Sequence, residues 1–443
     1  AQMAPPPRPP VEVQIMEPEP AEELDDIEEL MDEVIEPPEP IELDFTPDVS
    51  MSIDTPSPSP PTEFSPQPAA FDSVAIVKSP VIMKGIYGSR SPGARGSALS
   101  EFGGSGYTEN AVLRALRWIK KNQNKDGSWP KTRPASTSLA LLAFLAHGET
   151  PASEEFGPTV EKAIRWLVNN QLSNGHFKGR DGHDYSQPIA TYALCEAYAL
   201  TRVPMVRDAA EKALEIVIKG QNPSGGFNYN LRPSNRNDTS YMGWCAQALK
   251  AGKMAGLELD GLDECWNKAI AGFKLNAHPQ GGFGYTNKSR SGLTGVGVLC
   301  MQLLGAAKDP DCRRGLAALE AATFRWGGGG VFNKNYYWYY ITQAKFHEGG
   351  DTWKSWNDRF APVLVKNQTV IEDAIRDAKG ELQDIGWWNM EQGLSGHTDG
   401  PVMNTALCAL QLQVYYRYLP TFKKPEEIEQ DTSYAAEDEI DIE

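Results

Sequence analysis

The chain lacks long apolar runs and contains few cysteines. No stretch of its 443 residues reaches the ~18–20 consecutive apolar residues that a membrane-spanning helix requires, so the sequence itself holds no membrane span. Four of the six cysteines, Cys195, Cys245, Cys300 and Cys408, lie at least 50 residues apart. Disulfide frameworks belong to short, loop-rich chains, so these four residues are predicted to be small apolar side chains of a helical core.

Positive charge is nearly absent from the two ends of the chain. Residues 1–50 contain 16 Asp or Glu and one Arg, and residues 425–443 contain nine acids and no base. Residues 51–424 contain 34 acids and 41 bases, a net charge of +7. The total net charge of −17 is therefore a property of the ends, and it says nothing about the partners of the central part.

The N-terminal part, residues 1–97, is rich in Pro, Glu and Ser. Such a composition buries too little apolar surface to fold, so we predict a disordered stalk over 1–97, a folded domain over 98–424 and a disordered acidic tail over 425–443. Within the stalk, apolar residues recur at i, i+3 and i+4 over residues 24–35. This segment is predicted either to dock as a short helix on a partner or on a basic surface of the folded domain, or to be a transiently helical piece of linker.

The stalk also resembles the acidic, Pro/Glu-rich periplasmic linkers of membrane-anchored energy-transducer proteins. Because the sequence begins at Ala1 rather than at a Met, we expect a membrane tether upstream of it. This arrangement would put the folded domain in the bacterial cell envelope, on the periplasmic side. A cytoplasmic protein with a flexible tail is the alternative.

The folded part contains six repeats, each marked by a turn that ends in an aromatic residue. These residues are Trp129, Phe177, Phe227, Phe283, Phe332 and Trp388, at intervals of 48, 50, 56, 49 and 56 residues. The first three turns share the pattern Gln-x-x-x-Gly-x-Trp/Phe, as in residues 123–129. A period of this length is one supersecondary unit, which must pack on its neighbours to bury its apolar face.

Each repeat pairs a charged, amphipathic helix with a more apolar helix rich in small residues, such as residues 111–123 and 137–146. A helix that is apolar nearly all round is buried. The sequence therefore predicts an all-α fold, a closed (α/α)6 toroid with six inner and six outer helices. An open solenoid is the alternative, but it would need polar capping repeats that the sequence does not show.

The turn pattern resembles the repeat shared by squalene and oxidosqualene cyclases and protein prenyltransferase β subunits, over about residues 103–420. Residues 103–118 and 415–420 are also similar to a group of bacterial "prenyltransferase and squalene oxidase repeat" proteins. This resemblance implies the α/α toroid of the terpenoid cyclase and protein prenyltransferase superfamily, and it does not single out one reaction.

The motifs that carry out cyclisation and prenyl transfer in these relatives are only partly present in this chain. Cyclases similar to it protonate their substrate with the middle acid of Asp-x-Asp-Asp-Thr-Ala, where residues 235–240 have Asn237 at the donor position, followed by Asp238. An amide cannot supply that proton. The prenyltransferase zinc pair is matched in letters by Asp263 and Cys265, but on an outer helix and without a third ligand, so Cys265 is predicted to be a core residue.

The inner helices of such a toroid run in the same direction, so their N-termini meet at one rim, which favours anions. Polar residues near these N-termini are Ser136, His183, Asp184, Tyr185, Asn237, Asp238, Arg290, His397 and Asp399. They predict a functional rim, or else a set of N-caps at Ser136 and the three acids. A metal ion held by His183, Asp184 and His397, and a carbohydrate site that uses Asp184, Asp238 and Asp399, are further alternatives.

Polar residues also recur at one register of the inner helices. Aligning these helices brings Glu196, Gln247, Gln302, Gln343 and Gln411 to the same level. They are predicted either to line a lumen that binds an extended polar ligand or to bond to the turns of the outer helices. The candidates for a binding cavity are Glu196, Trp244, Gln247, Gln302, Tyr336, Tyr337, Trp338 and Gln343.

The sequence therefore predicts an envelope-tethered toroid that binds a ligand or a protein partner and does not cyclise terpenes. The alternative is an enzyme of the terpenoid, prenyl or carbohydrate class that uses the rim. We predict no cofactor, no metal site and no nucleic-acid partner, and the sequence does not identify the ligand.

Overall fold

Helices form nearly all of the regular structure. In the computed structural model, the residues described are 85–130, 132–177, 185–326, 334–377, 379–389 and 400–417. The outer helices are α2 (Gly106–Lys121), α4 (Gly157–Asn170), α6 (Pro204–Lys219), α8 (Leu262–Leu275), α10 (Pro310–Ala318) and α12 (Gly350–Lys366). The inner helices are α3 (Arg133–Ala146), α5 (Ser186–Thr201), α7 (Thr239–Met254), α9 (Thr294–Leu303), α11 (Lys334–Glu348) and α13 (Pro401–Leu412). Helices α1 (Pro92–Phe102) and α14 (Val414–Arg417) lie at the two ends of the described chain.

The six inner helices form a closed ring. Helix α3 packs on α5, α5 on α7, α7 on α9, α9 on α11 and α11 on α13, and α13 packs back on α3. Every residue of α5 except Tyr198 is buried, whereas α2 buries one face that includes Ala111, Ala115 and Ile119. The prediction of an all-α (α/α)6 toroid is confirmed, and the ring has no free end of the kind an open solenoid would have. None of the helices in the described ranges is both long and apolar enough to cross a membrane.

The repeated Gln and Gly fix each turn against the next outer helix. The Nε2 of Gln123 donates to the carbonyl oxygen of Gly127 at 3.0 Å and to that of Thr159 in α4 at 2.9 Å. Gly127 has a φ of +95°, and a Cβ there would lie 2.4 Å from the carbonyl oxygen of Lys162. The same bonds recur in the next two repeats, from Gln171 to Gly175 and Ala209 and from Gln221 to Gly225 and Cys265. The Gly is therefore required twice, by its backbone conformation and by the close approach of the neighbouring helix.

The aromatic residue that ends each turn is a core anchor. Trp129, Phe177, Phe227, Phe283 and Trp388 are buried, and Phe332 lies outside the described residues. In three repeats a threonine of the inner helix accepts the anchor's amide hydrogen: Thr137 from Trp129 at 3.1 Å, Thr294 from Phe283 at 3.2 Å and Thr405 from Trp388 at 3.3 Å. In the second repeat Gln187 Oε1 accepts it from Phe177 at 2.9 Å.

The sixth repeat closes the ring onto the first. Gln368 donates to the carbonyl oxygen of Ala111 in α2 at 2.8 Å. Between α12 and the last turn lies an antiparallel hairpin of β1 (Thr369–Arg376) and β2 (Leu382–Trp387), which packs on α2. There the rings of Trp387 and Trp118 stack at 5.9 Å.

The two ends of the described chain meet each other. Asn357 of α12 donates to the carbonyl oxygen of Gly103 at 2.8 Å and accepts from the hydroxyl of Tyr415 at 2.8 Å. Arg90 and Arg95, at the start of the described chain, are also buried. The folded unit therefore begins before residue 98, because the predicted boundary falls inside α1. Residues 1–84 and 418–443 lie outside the described residues.

Candidate functional site

Asp238 begins α7 at the rim where the inner helices start. It is the N-cap of that helix, and its Oδ1 accepts the Tyr241 amide hydrogen at 3.0 Å and the Ser240 hydroxyl at 2.6 Å. Its Oδ2 lies 3.4 Å from an amino nitrogen of Arg236. All of these partners donate to the carboxylate, which is fully buried. The arrangement holds Asp238 as an acceptor and a cap.

Asn237 stands where terpene cyclases similar to this chain place their acid, and it is bonded as part of the turn. Its Oδ1 accepts from Asn222 Nδ2 at 2.8 Å and from Ser224 Oγ at 3.0 Å. Its backbone carbonyl accepts from Asn276 Nδ2 at 2.8 Å. The side chain therefore joins two neighbouring turns, and it has no proton that could initiate a carbocation.

A chain of tyrosine hydroxyls runs from Asp238 across the rim. Ser240 Oγ lies 2.9 Å from the hydroxyl of Tyr185, which is 3.1 Å from that of Tyr229. The Tyr229 hydroxyl is in turn 2.7 Å from that of Tyr285. Burial, together with the negative charge of Asp238, raises the pKa of all three tyrosines above the ordinary value. These hydroxyls stay protonated at neutral pH and can only share protons along the chain.

Arg236 connects this buried network to the surface. Its guanidinium lies over the rings of Tyr229, at 5.7 Å, and Tyr285, at 5.3 Å, while 43% of its side chain is exposed. Such cation–π contacts orient the guanidinium and leave its outer edge open to a ligand.

The loops that hold these residues form one strongly basic surface. Residues 228–238 and 284–293 are joined where Thr239 N and Oγ1 donate to the carbonyl oxygens of Tyr285, at 2.9 Å, and Gly284, at 2.7 Å. The only acid in these two loops is the buried Asp238. Four exposed basic residues on them make up what we term the basic face: Arg232, Arg236, Lys288 and Arg290.

The other predicted rim residues are placed differently. Ser136 is not an N-cap, because α3 begins three residues earlier with Pro134 in its first turn and Thr132 at the cap position. Arg290 donates to the carbonyl oxygens of Gly281, at 3.1 Å, and Gln280, at 3.5 Å, which holds it on a turn. His183, Asp184, His397 and Asp399 lie outside the described residues.

The polar residues predicted to line a lumen are buried within the ring. Glu196, Trp244, Gln247, Gln302 and Gln343 are each at most 3% exposed. Most of the amides bond to inner helices: Gln247 to Gly243 O and the Tyr340 hydroxyl, Gln302 to Ala344 O, Gln343 to Tyr339 O, and Gln411 to Asn335 and Leu407 O. The interpretation that they bond to turns of the outer helices is wrong, because partners within the ring are closer.

Side chains bridge the centre of the barrel. Arg417 donates to the hydroxyls of Tyr192 in α5 and Tyr339 in α11, two helices on opposite sides of the ring. Tyr339 donates to Gln247 Oε1 of α7 at 2.7 Å, and its ring stacks on that of Trp244 at 5.8 Å. A ligand-sized lumen would leave such side chains exposed to it, and they are buried. Among the described residues, the interior at this level is packed.

The remaining cavity candidates separate into two groups. Tyr336 stays in the ring, where its hydroxyl donates to the Ser240 carbonyl oxygen at 3.1 Å. Trp338 does not, because its ring stacks on Phe324 at 4.0 Å and its Nε1 donates to Thr323 O, away from the inner helices. Tyr337 is only half-buried, and its ring covers Gly292 of the loop 284–293.

The zinc-like pair is not a ligand set in the described structure. Asp263 pairs with Lys253 on the surface, whereas Cys265 packs in the core. Burial raises the pKa of Cys265 to about 12, which disfavours the thiolate form that zinc binds. Among the residues that the structure describes, no group of three or more His, Cys, Asp or Glu side chains is placed to hold a metal ion.

The opposite mouth, where the inner helices end, is closed by buried charges. Arg90 forms an ion pair with Glu196 at 2.6 Å and donates to the carbonyl oxygens of Leu145, at 3.1 Å, and Arg417, at 3.0 Å. A guanidinium is well placed here because helix C-termini carry partial negative charge.

A second buried cluster of charged residues lies beside the Arg90–Glu196 pair. The ring nitrogens of His147 are 2.9 Å from Glu109 and 2.7 Å from Glu149, and Arg95 is 3.3 Å from Glu109. Burial opposes charge on His147, but the two carboxylates raise its pKa above the ordinary value. Burial alone would raise the pKa of Glu109 and Glu149, but His147 and Arg95 keep both below the ordinary value.

Several residues of both mouths were not predicted from sequence. Tyr229 and Tyr285 each follow the repeat aromatic by two positions, after Phe227 and Phe283, so aligning the repeats two residues further would have found them. Arg90 has no such signal, because it lies within the stretch that its composition assigns to the stalk.

The sequence matches to curated proteins cover only part of those proteins. No protein-family model matches the chain. It is 36% identical over 89 residues to the terpene cyclase–glycosyl transferase fusion protein fsoA of Humicola fuscoatra, a match that covers 17% of this chain and 6% of that protein. It is 32% identical over 132 residues to drimenyl diphosphate synthase of Streptomyces showdoensis, covering 28% of this chain and 23% of that protein. The chain thus spans less than a quarter of the length of these relatives.

Two solved structures with low sequence identity also match the chain. The α-1,6-mannanase of Salegentibacter sp. HEL1_6 matches with a TM-score of 0.48 and 13% identity, over 70% of this chain and 98% of that chain. The type II terpene cyclase MstE from Scytonema matches with a TM-score of 0.46 and 13% identity, over 70% of this chain and 98% of that chain. The two sequence matches confirm the resemblance to terpene cyclases found in the sequence.

Proposed function

We propose that the chain is a binding toroid that holds a partner on the rim at the N-termini of its inner helices and does not cyclise terpenes. One observation carries this proposal: side chains from opposite helices meet at the centre of the barrel, as Arg417 does with Tyr192 and Tyr339. A cyclisation reaction needs a cavity that folds an apolar substrate around an acid. Asn237 removes the acid, and the packed interior removes the room.

The basic face is the surface we assign to the partner. Arg232, Lys288 and Arg290 are exposed, and no described carboxylate forms an ion pair with any of them. The adjacent start of α7 adds the positive end of a helix dipole. A surface of this kind suits an acidic protein segment, whose carboxylates the arginines can bind bidentately while Tyr229 and Tyr285 hold Arg236 in place.

The cellular setting belongs to the same proposal. The acidic, Pro-rich stretch of residues 1–84 gives the toroid reach, and a tether upstream of it would keep the toroid at the cell envelope with the rim facing the periplasm. Fractionation of the native organism with an antibody to the toroid tests this part, since recovery in the cytosol would contradict it.

Turnover is tested with a linear C15 prenyl diphosphate, the acyclic isomer of drimenyl diphosphate. We expect no cyclic product from the full chain, measured by mass spectrometry after dephosphorylation. The matched variant is Asn237→Asp, which restores the acid and can still accept from Asn222 and Ser224. We expect this variant to be inactive as well, because the interior is packed. A cyclic product from the wild-type chain would overturn the proposed function, and one from the variant alone would overturn the packed interior.

Binding is tested with a fluorescein-labelled hexaglutamate peptide by fluorescence anisotropy. The paired change Arg232→Glu and Lys288→Glu should weaken binding about tenfold or more, because like charges then face each other. The control pair Lys212→Glu and Lys354→Glu makes the same change in net charge on exposed residues of α6 and α12. Equal losses in both pairs would mean non-specific attraction and would contradict a defined site.

An enzyme that uses the rim is the second candidate, and the hydroxyl chain from Asp238 to Tyr285 favours it. Such a chain can pass protons between a buried carboxylate and a substrate. The rim residues predicted for it also include His183, Asp184, His397 and Asp399. Incubation with α-1,6-linked mannotriose or with the prenyl diphosphate, compared with Asp238→Asn, tests it. Product that disappears in the variant would establish this candidate.

A further inference from the structure

The acidic segment, residues 24–35, carries six acids and no base, with apolar residues at Leu24, Ile27, Leu30 and Val34. We propose that this segment of the same chain docks on the basic face and competes there with the external partner. The inference rests on the proposed function, since it names the regulation of the same surface.

Charge complementarity between the two surfaces is the first observation. The basic face has four exposed cationic side chains on two joined loops, and the single acid of these loops, Asp238, is buried. The folded part of the chain is net positive and the stalk strongly negative, so an anion tethered to the toroid is attracted at all times.

The length of chain outside the structure is the second observation. The described chain starts at the opposite mouth, where Arg90 is buried between Glu196 and Arg417. The 16-residue helix α7 separates the mouths by about 24 Å. The 49 residues between the segment and Gly85 are rich in Pro, and they span an r.m.s. distance of about 35–42 Å if flexible and up to about 150 Å if extended at ~3.1 Å per residue. Both lengths exceed the separation of the mouths, so the tether lets the segment reach the basic face.

The C-terminal tail fits less well. It also leaves the toroid at the closed mouth, after Arg417, and its acids begin at Glu426, only nine positions on. A flexible chain of that length spans about 15–18 Å, less than the height of the barrel. Only the distal acids of that tail come within reach of the basic face.

The test compares full-length chains with the hexaglutamate probe. Neutralising the segment should increase probe affinity at least about tenfold over the wild-type chain, because the intramolecular competitor is removed. The substitutions are Asp25→Asn, Asp26→Asn, Glu28→Gln, Glu29→Gln, Asp32→Asn and Glu33→Gln. The matched control neutralises the six most distal acids of the C-terminal tail, Asp431, Glu437, Asp438, Glu439, Asp441 and Glu443, and should leave affinity unchanged.

Each outcome has a separate meaning. No probe binding to the segment-neutralised chain would mean that the proposed function fails. Equal binding to that chain and to the wild type would overturn only the docking of the segment. An increase in affinity confined to the tail-neutralised control would mean that the C-terminal tail occupies the basic face. That result would also overturn the docking of residues 24–35.

Zero-length carbodiimide crosslinking distinguishes docking within one chain from docking between two copies. We expect a crosslink between Lys288 and an acid of residues 24–35, and its loss in the neutralised chain. In a mixture of isotopically light and heavy chains, crosslinks should join residues of the same label. Mixed-label crosslinks would overturn the intramolecular form in favour of a second copy.

Discussion

The two mouths of the barrel are built from similar residues and differ in burial. At the closed mouth Arg90 is 0% exposed and is paired with Glu196, whereas at the open rim 43% of the Arg236 side chain is exposed beside Asp238. Helix C-termini attract a cation, so the buried arginine at the closed mouth neutralises charge that the fold itself creates. Helix N-termini repel a cation, so the exposed basic residues at the rim gain nothing from the helix dipoles, which supports the proposed external anion. The pair at the closed mouth is thus buried on both sides, whereas at the rim only Asp238 is buried and the Arg236 side chain reaches the surface.

The largest expected effect comes from breaking the closed mouth. Arg90→Met should cost about 3–5 kcal/mol of unfolding free energy, because Glu196 is left as an uncompensated buried charge. Denaturant unfolding of the full-length chain measures this cost. The double variant Arg90→Met with Glu196→Gln should recover part of it. A cost below 1 kcal/mol for the single variant would contradict the role of this pair in closing the mouth.

A change in a turn at the rim is expected to have the next largest effect. Gly225→Ala should cost about 2–4 kcal/mol, since Gly225 has a φ of +94° and a Cβ would lie 2.0 Å from the carbonyl oxygen of Lys268. The control is Gly256→Ala, where φ is also positive, at +72°, but no atom lies within 4 Å. It should cost about 1 kcal/mol. Thermal unfolding of the two variants measures the difference between their costs in stability. Equal costs would mean that helix α8 moves enough to accommodate the added Cβ.

The buried cluster at the closed mouth predicts a pH dependence. The raised pKa of His147 contributes stability that is complete below the unfolded value of about 6.5 and is lost as pH rises through the folded value. The lowered pKa values of Glu109 and Glu149 contribute stability that is present above about 4.5 and is lost as pH falls through their folded values.

His147→Gln tests this cluster. It should lower stability by about 1–3 kcal/mol near pH 6 and remove the loss on the alkaline side. His176→Gln, at a half-buried residue outside the cluster, is the control and should keep the alkaline loss. The measurement is the free energy of unfolding from pH 5 to pH 10. If His147→Gln loses stability at alkaline pH as the wild-type chain does, groups other than His147 cause that loss.

The smallest effect on stability is expected at the open rim. Arg236→Gln should cost less than about 1 kcal/mol, because the pair with Asp238 is partly exposed and Asp238 keeps Ser240 and the Tyr241 amide as donors. The same variant should nevertheless weaken hexaglutamate binding several-fold. A large loss of stability with unchanged binding would reverse the comparison between the mouths.

The repeat turns were predictable because their requirements are local. Gln123, Gly127 and Trp129 each follow from how a helix ends and how an aromatic residue is buried, and the structure has them in those roles. The amides of the inner helices were found by register, but their partners were not, since Gln302 bonds to a residue 42 positions away. Tyr229 and Tyr285 were missed although their spacing from the anchors repeats, because only the anchor positions were aligned.

The sequence by itself determined the number of repeats, the pairing of an amphipathic with an apolar helix, and the loss of the cyclase acid at Asn237. Periodicity and motif chemistry are written in neighbouring residues, so they need no knowledge of the ring. Only the tertiary structure decided that Arg90 and Arg417 enter one mouth, that the described interior is packed at the level of Tyr339, and that two distant loops join into the basic face. These features depend on contacts between residues as far apart as 327 positions, which form only when the ring closes.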